Sequence, residues 1–298
     1  MPAISRKAVQ PLINAALRED AARRDLTSQR VIPSGLRVRA RIVAKARGVA
    51  AGVKIAALTF ATFDPSLRCR LLVHSGAKLS PGKTILTVEG RARSIFAAER
   101  TVLNILGHLS GIATLTRQYV ARVRGTRAQI FDTRKTLPAL RALEKYAVRI
   151  GGGFNHRGDL SEAILIKTNH LKTLRARSSP QSIVDSPQLI QKVITRAKRA
   201  KPRKFVEVEV TNLREFKTAL KAKPDAILLD NWSVASIRKA VALRNYGLWT
   251  MDYGLKLEVS GGVTLDNVRA IAKTGVDRIS IGRLTHSAPS LNVSLQVL

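Results

Sequence analysis

From residue 128 to residue 281, short apolar runs alternate with segments of helical periodicity. Six of these runs are predicted to be strands: Ala128–Asp132, Ala163–Lys167, Phe205–Val210, Ala226–Asp230, Leu255–Ser260 and Asp277–Ile281. Strands that alternate with helices are typical of βαβ units, whose strands lie parallel in one sheet. The alternation therefore predicts a parallel α/β sheet or barrel over this part of the chain.

The clearest such unit lies near the C-terminus. Gly261 and Gly262 form the predicted turn after the fifth run, and Thr264 is predicted to cap the helix that follows. Four apolar residues share one face of that helix: Leu265, Val268, Ile271 and Ala272. Gly275 is predicted to end the helix, and Gly282 opens the loop after the sixth run.

The first hundred residues predict a separate, mixed α/β unit, which opens with a helix over Ser5–Leu17. Its predicted strands are Arg37–Val43, Arg68–Val73 and Thr84–Glu89. Two further helices are predicted at about Ile95–His108 and Thr114–Arg124. With 298 residues, the chain is long enough for two domains or for one barrel with an appendage.

The chain is strongly basic, because 52 Lys and Arg against 20 Asp and Glu leave a net charge of +32. Such a charge attracts polyanions, so nonspecific polyanion binding is expected. Nucleic-acid-binding proteins usually add stacking aromatic residues, whereas only 4% of these residues are aromatic. A small, highly anionic substrate is the alternative partner. The basic segment Leu171–Lys204 is interpreted as a solvated connection and an exposed helix rather than a nucleic-acid arm.

Cysteine content and hydropathy exclude several further classes. Cys69 is the single cysteine of the sequence, which excludes an internal disulfide and a multi-cysteine metal site. Lys54 interrupts the best apolar run, Ala50–Phe63, so no membrane span is predicted. The N-terminus carries no signal-peptide core. A soluble, cytoplasmic protein is therefore expected.

Polar residues and glycines follow the predicted strands at the point where each strand ends. They are Asp132, Thr133, Arg134, Lys135, Lys167, Glu209, Asp230, Ser260, Gly261, Gly262 and Gly282. In a parallel α/β barrel, the active site lies at these carboxyl ends. Glycine turns let backbone N–H groups approach phosphate oxygens, and carboxylates hold Mg²⁺ together with phosphate and water. The set predicts a phosphorylated, metal-chelated substrate.

Between Asp132 and His170 the cations are densest. Arg134, Lys135, Arg157 and Lys167 are predicted to converge on one pocket, with His156 beside them. Arginine binds carboxylate or phosphate bidentately, whereas lysine acts as a point charge. Each kind of group also has a structural interpretation: strand-end acids form salt bridges, a glycine pair forms a tight turn, and a lone histidine is a packed structural residue.

Several strings, in order and over nearly the whole chain, resemble the quinolinate phosphoribosyltransferase family. They are Leu17–Asp20, Asp25–Ser28, Glu99–Asn104, Leu109–Thr114, Asp132–Thr136, Leu143–Arg149, Gly151–Leu160, Ile164–His170, Val206–Val210, Leu228–Asn231, Glu258–Gly262 and Leu284–Pro289. The resemblance implies an N-terminal α/β open sandwich over residues 1–113 and an incomplete, TIM-like α/β barrel over residues 114–285. It also implies that the tail, residues 286–298, packs on the first domain.

The resemblance further implies an activity and an assembly. The implied reaction transfers a phosphoribosyl group from phosphoribosyl pyrophosphate to quinolinate, with Mg²⁺. Its products are nicotinate mononucleotide, pyrophosphate and CO₂, as in de novo NAD biosynthesis. The implied assembly is a homodimer, or a larger oligomer, in which Arg100 reaches the partner's site.

By the same resemblance, each site residue has an implied role. Those around the quinolinate carboxylates are Arg100, Arg134, His156, Arg157 and Lys167. Those that hold the phosphoribosyl donor and its metal are Lys135, Glu209, Asp230, Ser260, Gly261, Gly262 and the Gly282 turn. Thr133, Arg283 and Leu284 complete the predicted substrate-binding set. Catalytic roles fall to Lys135, Lys167, Glu209 and Asp230, and the two acids bind Mg²⁺ directly or indirectly.

One departure and two alternatives accompany this hypothesis. Thr168 stands where the family commonly has an acid. The first alternative is a phosphoribosyltransferase of the same fold that acts on another ring. The number of cations in the predicted pocket argues against a neutral ring, which does not need them. The second alternative is a basic nucleic-acid-binding protein on this scaffold.

Overall fold

The computed structural model describes residues 4–176, 186–247 and 254–298. The helices in these ranges are α1 (Arg6–Glu19), α2 (Leu26–Val31), α3 (Val53–Phe63), α4 (Ala92–Arg122), α5 (Arg141–Gly151), α6 (Thr168–Ala176), α7 (Ser186–Lys198), α8 (Leu213–Ala222), α9 (Val234–Gly247), α10 (Val268–Ala272) and α11 (Arg283–His286). The strands are β1 (Arg37–Ala44), β2 (Gly48–Val49), β3 (Arg68–Leu71), β4 (Lys78–Leu79), β5 (Thr84–Arg91), β6 (Gln129–Phe131), β7 (Ala163–Ile166), β8 (Phe205–Val210), β9 (Ala226–Asp230), β10 (Lys256–Ser260), β11 (Arg278–Ser280) and β12 (Val293–Val297).

The chain folds into two compact units. The first comprises Met1–Gln118, Lys135–Asn155 and Gly282–Leu298. The second comprises Tyr119–Arg134 and His156–Ile281. Each unit is built around its own main sheet, and the two sheets differ in the direction of their strands.

The first unit contains a four-stranded antiparallel sheet in the order β12-β1-β5-β3. Because side chains alternate along a strand, one face of β1 presents Ala40 and Ile42, and the same face of β5 presents Leu86 and Val88. These four side chains are fully buried in a core with residues of α3 and α4. The other face of the sheet carries mostly charged side chains.

A single 31-residue helix, α4, replaces the two helices predicted near Ile95–His108 and Thr114–Arg124. Gly107 and Gly111, near the predicted break, are packing sites for the C-terminal tail. A Cβ on Gly107 would lie 2.9 Å from the Leu291 carbonyl oxygen, and one on Gly111 would lie 2.1 Å from that of Pro289. The backbone N–H of Leu291 donates to the Gly107 carbonyl at 2.9 Å. The prediction of two helices was therefore wrong, because close packing rather than a turn requires these glycines.

The second unit contains a six-stranded, fully parallel sheet in the order β6-β11-β10-β9-β8-β7. Consecutive strands are neighbours from β7 to β11, and β6 pairs with β11. Among the described residues, β6 and β7 are the two edges, so the sheet has the strand order of a barrel that is not closed. The predicted fold class, a sandwich joined to an incomplete α/β barrel, is confirmed.

All six predicted strands of the parallel sheet are present, with ends within two residues of those predicted. The helix predicted after Thr264 begins later, at Val268. Thr264 caps the preceding turn instead, since its hydroxyl accepts the N–H of Asn267 at 3.3 Å. Gly275 follows the helix with a φ of +93°, which agrees with the predicted stop.

The basic segment Leu171–Lys204 includes the end of α6 and all of α7, and its residues 177–185 lie outside the described part of the chain. Helix α7 is exposed on one face, whereas Leu189, Ile190 and Ile194 are buried on the other. The predicted exposed helix is therefore present as α7, but one of its faces contributes side chains to the core of the second unit. None of the described helices combines the length and the apolar character that a membrane span requires.

Candidate active site

The parallel sheet of the second unit presents an unusually polar face. Val206, Val208 and Val210 are fully buried on one side of β8, which leaves Glu207 and Glu209 on the other. The strand register then aligns Ser260 of β10 with Asp230 of β9 and with Ser280 of β11, and Glu258 with Arg278. The carboxyl half of this face therefore gathers the strand-end residues that the sequence predicted.

The backbone and ring of His156 are fixed by three hydrogen bonds. The buried Asp132 accepts its backbone N–H at 2.8 Å. Its ring Nδ1 accepts the backbone N–H of Arg157 at 2.8 Å, which leaves the ring proton on Nε2. Nε2 lies 2.9 Å from Glu207 Oε2 and 3.5 Å from Glu258 Oε1. Glu207 and Glu258 thus orient the ring of His156.

Glu207 and Glu258 form a buried acid pair. Burial raises the pKa of Glu207 to about 7, and the positive charge of Arg278 opposes this shift. Burial raises the pKa of Glu258 to about 8, and the negative charge of Glu207 contributes to the shift. Because two adjacent carboxylates repel each other, the pair retains a proton at neutral pH. His156 therefore contacts an acid pair that is not fully ionised.

Arg278 supplies the positive charge closest to this pair. Its guanidinium lies 3.9 Å from Glu258 Oε2 and is stacked between two rings, 5.0 Å from the Phe131 centroid and 4.9 Å from the Phe205 centroid. The hydroxyl of Ser280 donates to Glu258 Oε1. Stacking on aromatic faces holds the arginine in place, so the acid pair lies in a rigid environment.

Arg134 and Arg157 are close enough for their charges to interact. Burial lowers the pKa of Arg157, and the charge of Arg134 lowers it further, against the opposing effect of Glu207. Arg157 is held by a 2.9 Å hydrogen bond from its Nη1 to the Ala163 carbonyl. Two half-buried guanidinium groups that repel each other are stabilised by an anion between them, so the pair favours a dianionic ligand.

Thr168 binds Glu209, which explains how the chain accommodates a threonine at this position. The carboxylate Oε1 of Glu209 accepts both the Thr168 hydroxyl, at 2.6 Å, and the Thr168 backbone N–H, at 3.1 Å. A carboxylate in place of Thr168 would repel Glu209 instead. Lys167, the preceding residue, is exposed at the end of β7.

The turn Ser260-Gly261-Gly262 packs against the loop that follows β9. Gly261 and Gly262 have φ values of +87° and +61°, which favour glycine. A Cβ on Gly261 would lie 2.2 Å from Asn231 Oδ1. Asn231 also donates from Nδ2 to Asp230 Oδ2 at 3.0 Å. Asp230 and the glycine turn are therefore held together through one asparagine.

The carboxylates of Glu209 and Asp230 fit a Mg²⁺ ion. Glu209 uses only Oε1, and Asp230 only Oδ2, for hydrogen bonds to other described residues. The second oxygen of each carboxylate, on neighbouring strands, is left for a hard cation. Mg²⁺ commonly binds one or two carboxylates and completes its shell with phosphate and water.

In the first unit, Lys135 and the Gly282 turn lie together. A Cβ on Gly282 would lie 3.0 Å from Lys135 Cδ and 3.2 Å from His286 Nε2. The Thr285 hydroxyl donates to the Lys135 carbonyl at 2.6 Å. The sequence predicted both Lys135 and Gly282, and the structure shows why a side chain at residue 282 would displace the lysine.

Three other predicted residues of the first unit differ in exposure. Arg100, on α4, and Arg283 are exposed. Leu284 is fully buried, so only its main chain is available to a ligand. Thr133, in the second unit, is half-buried after β6.

The sequence predictions missed Glu207, Glu258 and Arg278. A signal was present, because Glu207 precedes Glu209 by two residues and Glu258 precedes Ser260 by two. Residues two apart on a strand share a face, so these acids belong on the same face as the predicted site. A charged residue at an inward position of a buried strand is the pattern to look for.

A parallel α/β sheet with facing cations, carboxylates and a glycine turn at its carboxyl end defines an enzyme that binds phosphorylated, anionic substrates. The sequence profile of the quinolinate phosphoribosyl transferase C-terminal domain matches residues 112–296, and that of the N-terminal domain matches residues 25–110. The chain belongs to the quinolinate phosphoribosyltransferase family.

Individual relatives agree with this assignment. A nicotinate-nucleotide pyrophosphorylase (carboxylating) of Mycobacterium leprae is 41% identical over 293 residues, which cover 97% of each chain. The crystal structure of NadC from Streptococcus pyogenes matches with a TM-score of 0.88 at 35% identity and covers all of both chains. The nicotinate-nucleotide pyrophosphorylase of Francisella tularensis matches with a TM-score of 0.86 at 36% identity, over 99% of this chain and 98% of its own.

Proposed function

We propose that this enzyme transfers a phosphoribosyl group from phosphoribosyl pyrophosphate to quinolinate and releases pyrophosphate and CO₂. The product is nicotinate mononucleotide, a precursor in de novo NAD biosynthesis. The observation that carries the proposal is the proximity of the half-buried Arg134 and Arg157, whose charges repel each other and favour a dianionic ligand. Quinolinate carries two adjacent carboxylates, and each guanidinium binds one carboxylate bidentately.

In the first chemical step, the pyridine nitrogen of quinolinate attacks the anomeric carbon of the ribose while pyrophosphate leaves. The chain supplies position and charge rather than a covalent nucleophile. Arg134 and Arg157 fix the ring through its carboxylates. The turn Ser260-Gly261-Gly262 offers backbone N–H groups to phosphate oxygens, and Lys135 and the Gly282 turn are assigned to the same donor.

In the second step, the carboxylate at the ring position next to nitrogen leaves as CO₂. The electron pair stays on carbon beside the cationic ring nitrogen, and the carbon then takes up a proton. Lys167 and Arg134 stabilise this negative charge as positioned cations. His156 is assigned a positioning role in the pocket, because hydrogen bonds already engage both of its ring nitrogens.

Mg²⁺ is proposed as the cofactor, held by the free carboxylate oxygens of Glu209 and Asp230, directly or through water. When bound, it neutralises charge on pyrophosphate and orients the donor. Thr168 binds Oε1 of Glu209 and so restrains this carboxylate, while its second oxygen accepts no hydrogen bond from the other described residues.

A homodimer is proposed as the functional assembly, with Arg100 contributed to the partner's pocket. Its exposed position on α4 supports this assignment. Mixing two inactive variants, R100A and K167A, tests the proposal, because a mixed dimer contains one site in which both residues are present. Random exchange should then restore about a quarter of the activity of the unsubstituted dimer. No recovery after confirmed subunit exchange would place Arg100 in its own subunit's site.

A cytoplasmic location stays a prediction.

Acceptor specificity tests the proposed reaction. Nicotinate has the same ring but lacks the second carboxylate, so one guanidinium binds no substrate carboxylate in its complex. We expect kcat/KM for nicotinate to be lower by about 10²-fold or more than that for quinolinate. Equal use of the two rings, or preference for a neutral ring, would identify the alternative phosphoribosyltransferase.

A further inference from the structure

The antiparallel sheet of the first unit carries a grid of arginines on the face opposite its core. The strand register defines three rows across β1, β5 and β3. In the first row Arg37 lies opposite Arg91. The second row is Arg39, Glu89 and Arg68, and the third is Arg41, Thr87 and Arg70. We name the six arginines the arginine face: Arg37, Arg39, Arg41, Arg68, Arg70 and Arg91.

The charge of the arginine face is largely uncompensated. Glu89 is the one acid within the three described rows, against six arginines, and Asp64 is close enough to Arg91 for their charges to interact. Arg37, Arg39, Arg68 and Arg70 are exposed, and their side chains form no hydrogen bond or ion pair with other described residues. Like charges placed directly opposite on neighbouring strands, as in the first row, destabilise a sheet. An anionic partner would remove this repulsion.

The geometry of the grid indicates the kind of anion. Neighbouring strands lie about 4.8 Å apart, and residues two apart on a strand lie about 7 Å apart, so the cations form a regular two-dimensional array. A single small anion engages two or three of them, whereas a chain of phosphates engages the whole array. All six positions are arginine, whose planar fork binds phosphate bidentately.

We propose that the arginine face binds single-stranded nucleic acid through its phosphate backbone, without reading its sequence. Because the face holds no aromatic side chain on which bases would stack, the phosphate contacts of the arginines supply the affinity, and the binding should depend strongly on salt. A flexible single strand follows the array without the deformation energy that bending a duplex costs. Leu298, beside Arg39, is the one exposed large apolar side chain on the described face. Membrane-surface elements instead combine basic residues with several large apolar ones.

This surface is separate from the residues assigned to catalysis. Helix α4, which carries Arg100, packs with Ile95, Ala98 and Val102 against the other face of the same sheet. The proposal therefore goes beyond the phosphoribosyl transfer and does not depend on it. The arginine face accounts for part of the excess positive charge that the residues assigned to the active site do not explain.

A matched pair of triple variants tests the proposal. The first, R37Q/R39Q/R41Q, removes three charges from the arginine face. The control, K192Q/R196Q/R199Q, removes three exposed charges from α7 and from the residue that follows it, in the other unit. Both lower the net charge equally, so a diffuse electrostatic effect would weaken both alike. The probe is a fluorescent oligouridylate of about 20 nucleotides, whose binding is followed by anisotropy at about 50 to 300 mM NaCl.

The two triple variants should differ clearly. For R37Q/R39Q/R41Q we expect at least about tenfold weaker binding at about 150 mM salt, and a slope of log K against log salt that is shallower by about 2, or 0.7 per lost phosphate contact. The control should change by about twofold or less. A third variant, R37K/R39K/R41K, keeps the charge and should bind with intermediate affinity, because lysine lacks the bidentate fork.

Three other results would contradict the proposal. Equal losses in the two triple variants would show that net charge alone attracts the oligonucleotide. No loss in either would place the binding elsewhere. Retention by vesicles of anionic phospholipid that depends on the same three arginines, without oligonucleotide binding, would identify a membrane surface instead. Circular dichroism and phosphoribosyl transfer activity verify that both variants are folded, since neither carries a substitution in the assigned site.

Discussion

The two main sheets of this protein differ in where their charged side chains lie and in how those charges are compensated. On the parallel sheet, charges lie inside the fold, and each has a specific partner: Glu207 and Glu258 share His156, and Arg278 lies between two aromatic rings. On the antiparallel sheet, the arginines of the arginine face lie outside the core, and most have no partner. Buried charge has to be compensated for the protein to fold, whereas exposed charge does not.

This comparison separates two explanations for a net charge of +32. Among the cations assigned to the active site, Arg157 is half-buried and is held by a hydrogen bond to the Ala163 carbonyl. The arginine face contributes to the excess but touches no assigned catalytic residue. Substitutions matched between the two sheets therefore distinguish catalytic charge from surface charge.

The largest difference is expected between Arg134→Ala and Arg39→Ala. In the proposed reaction Arg134 binds a substrate carboxylate, so its loss should lower kcat/KM for quinolinate by about 10²- to 10³-fold. Affinity for phosphoribosyl pyrophosphate should change little. Arg39→Ala should leave both parameters within about twofold, since an exposed, unpaired charge contributes little. Steady-state kinetics with each substrate varied in turn measures both effects. Equal losses for the two substrates of Arg134→Ala would remove the quinolinate role of this arginine.

The next comparison concerns two glycines with left-handed backbone conformations, Gly261 in the second unit and Gly82 in the first. Both have φ values above +80°, but a Cβ on Gly261 would overlap Asn231, whereas one on Gly82 meets nothing within 4 Å. Gly82→Ala should cost about 1 kcal/mol of unfolding free energy, from backbone strain alone. Gly261→Ala should cost about 2–3 kcal/mol and raise KM for phosphoribosyl pyrophosphate, because the turn must move. Urea denaturation that gives equal losses would contradict the close packing at Gly261.

A third comparison uses two acids, the buried Glu258 and the exposed Glu89. Because burial raises the pKa of Glu207 to about 7 and of Glu258 to about 8, the folded state holds protons that the unfolded chain releases near pH 4–5. The unfolding free energy should therefore fall as the pH rises from about 5 to about 8. Glu258→Gln should reduce this decline by about 1–2 kcal/mol. Glu89→Gln should leave it unchanged, and identical pH profiles for Glu258→Gln and the parent protein would contradict the shared proton.

The smallest effect is expected at Thr168. Thr168→Val removes the hydroxyl that donates to Glu209 and keeps the shape of the side chain. The loss of one hydrogen bond to a charged group should lower kcat by about fivefold to tenfold and raise the Mg²⁺ concentration needed for half-maximal rate. Thr168→Ser keeps the hydroxyl and should recover most of the activity. If serine fails equally, the hydroxyl is not the group that positions Glu209.

The sequence predicted those parts of the molecule that depend on local periodicity. The strand-end positions of Lys167, Glu209 and Asp230 followed from the alternation of apolar runs, because each strand end lies at the same edge of a parallel sheet. Features that depend on packing between distant segments were missed. The continuity of α4 depends on how Gly111 meets the tail, and no local pattern reports that contact.

Register is the second property that the sequence does not reveal. The arginines at residues 37, 39 and 41 are visible as an alternating pattern, but their alignment with Arg68, Arg70 and Arg91 depends on strand pairing. In the same way, Glu207 of β8 and Glu258 of β10 become a pair only when both strands flank β9 in the sheet. Both charge clusters are therefore properties of the sheets rather than of the strands.

The most direct test of the proposed reaction follows both products in one vessel. Quinolinate labelled in the carboxyl group next to the ring nitrogen is incubated with the enzyme, phosphoribosyl pyrophosphate and Mg²⁺, and labelled CO₂ and nicotinate mononucleotide are measured together. We predict equal amounts of the two products at every time point, with formation of both abolished in Arg134→Ala. Nucleotide without CO₂, CO₂ without nucleotide, or neither product from folded enzyme would contradict the proposed decarboxylating transfer.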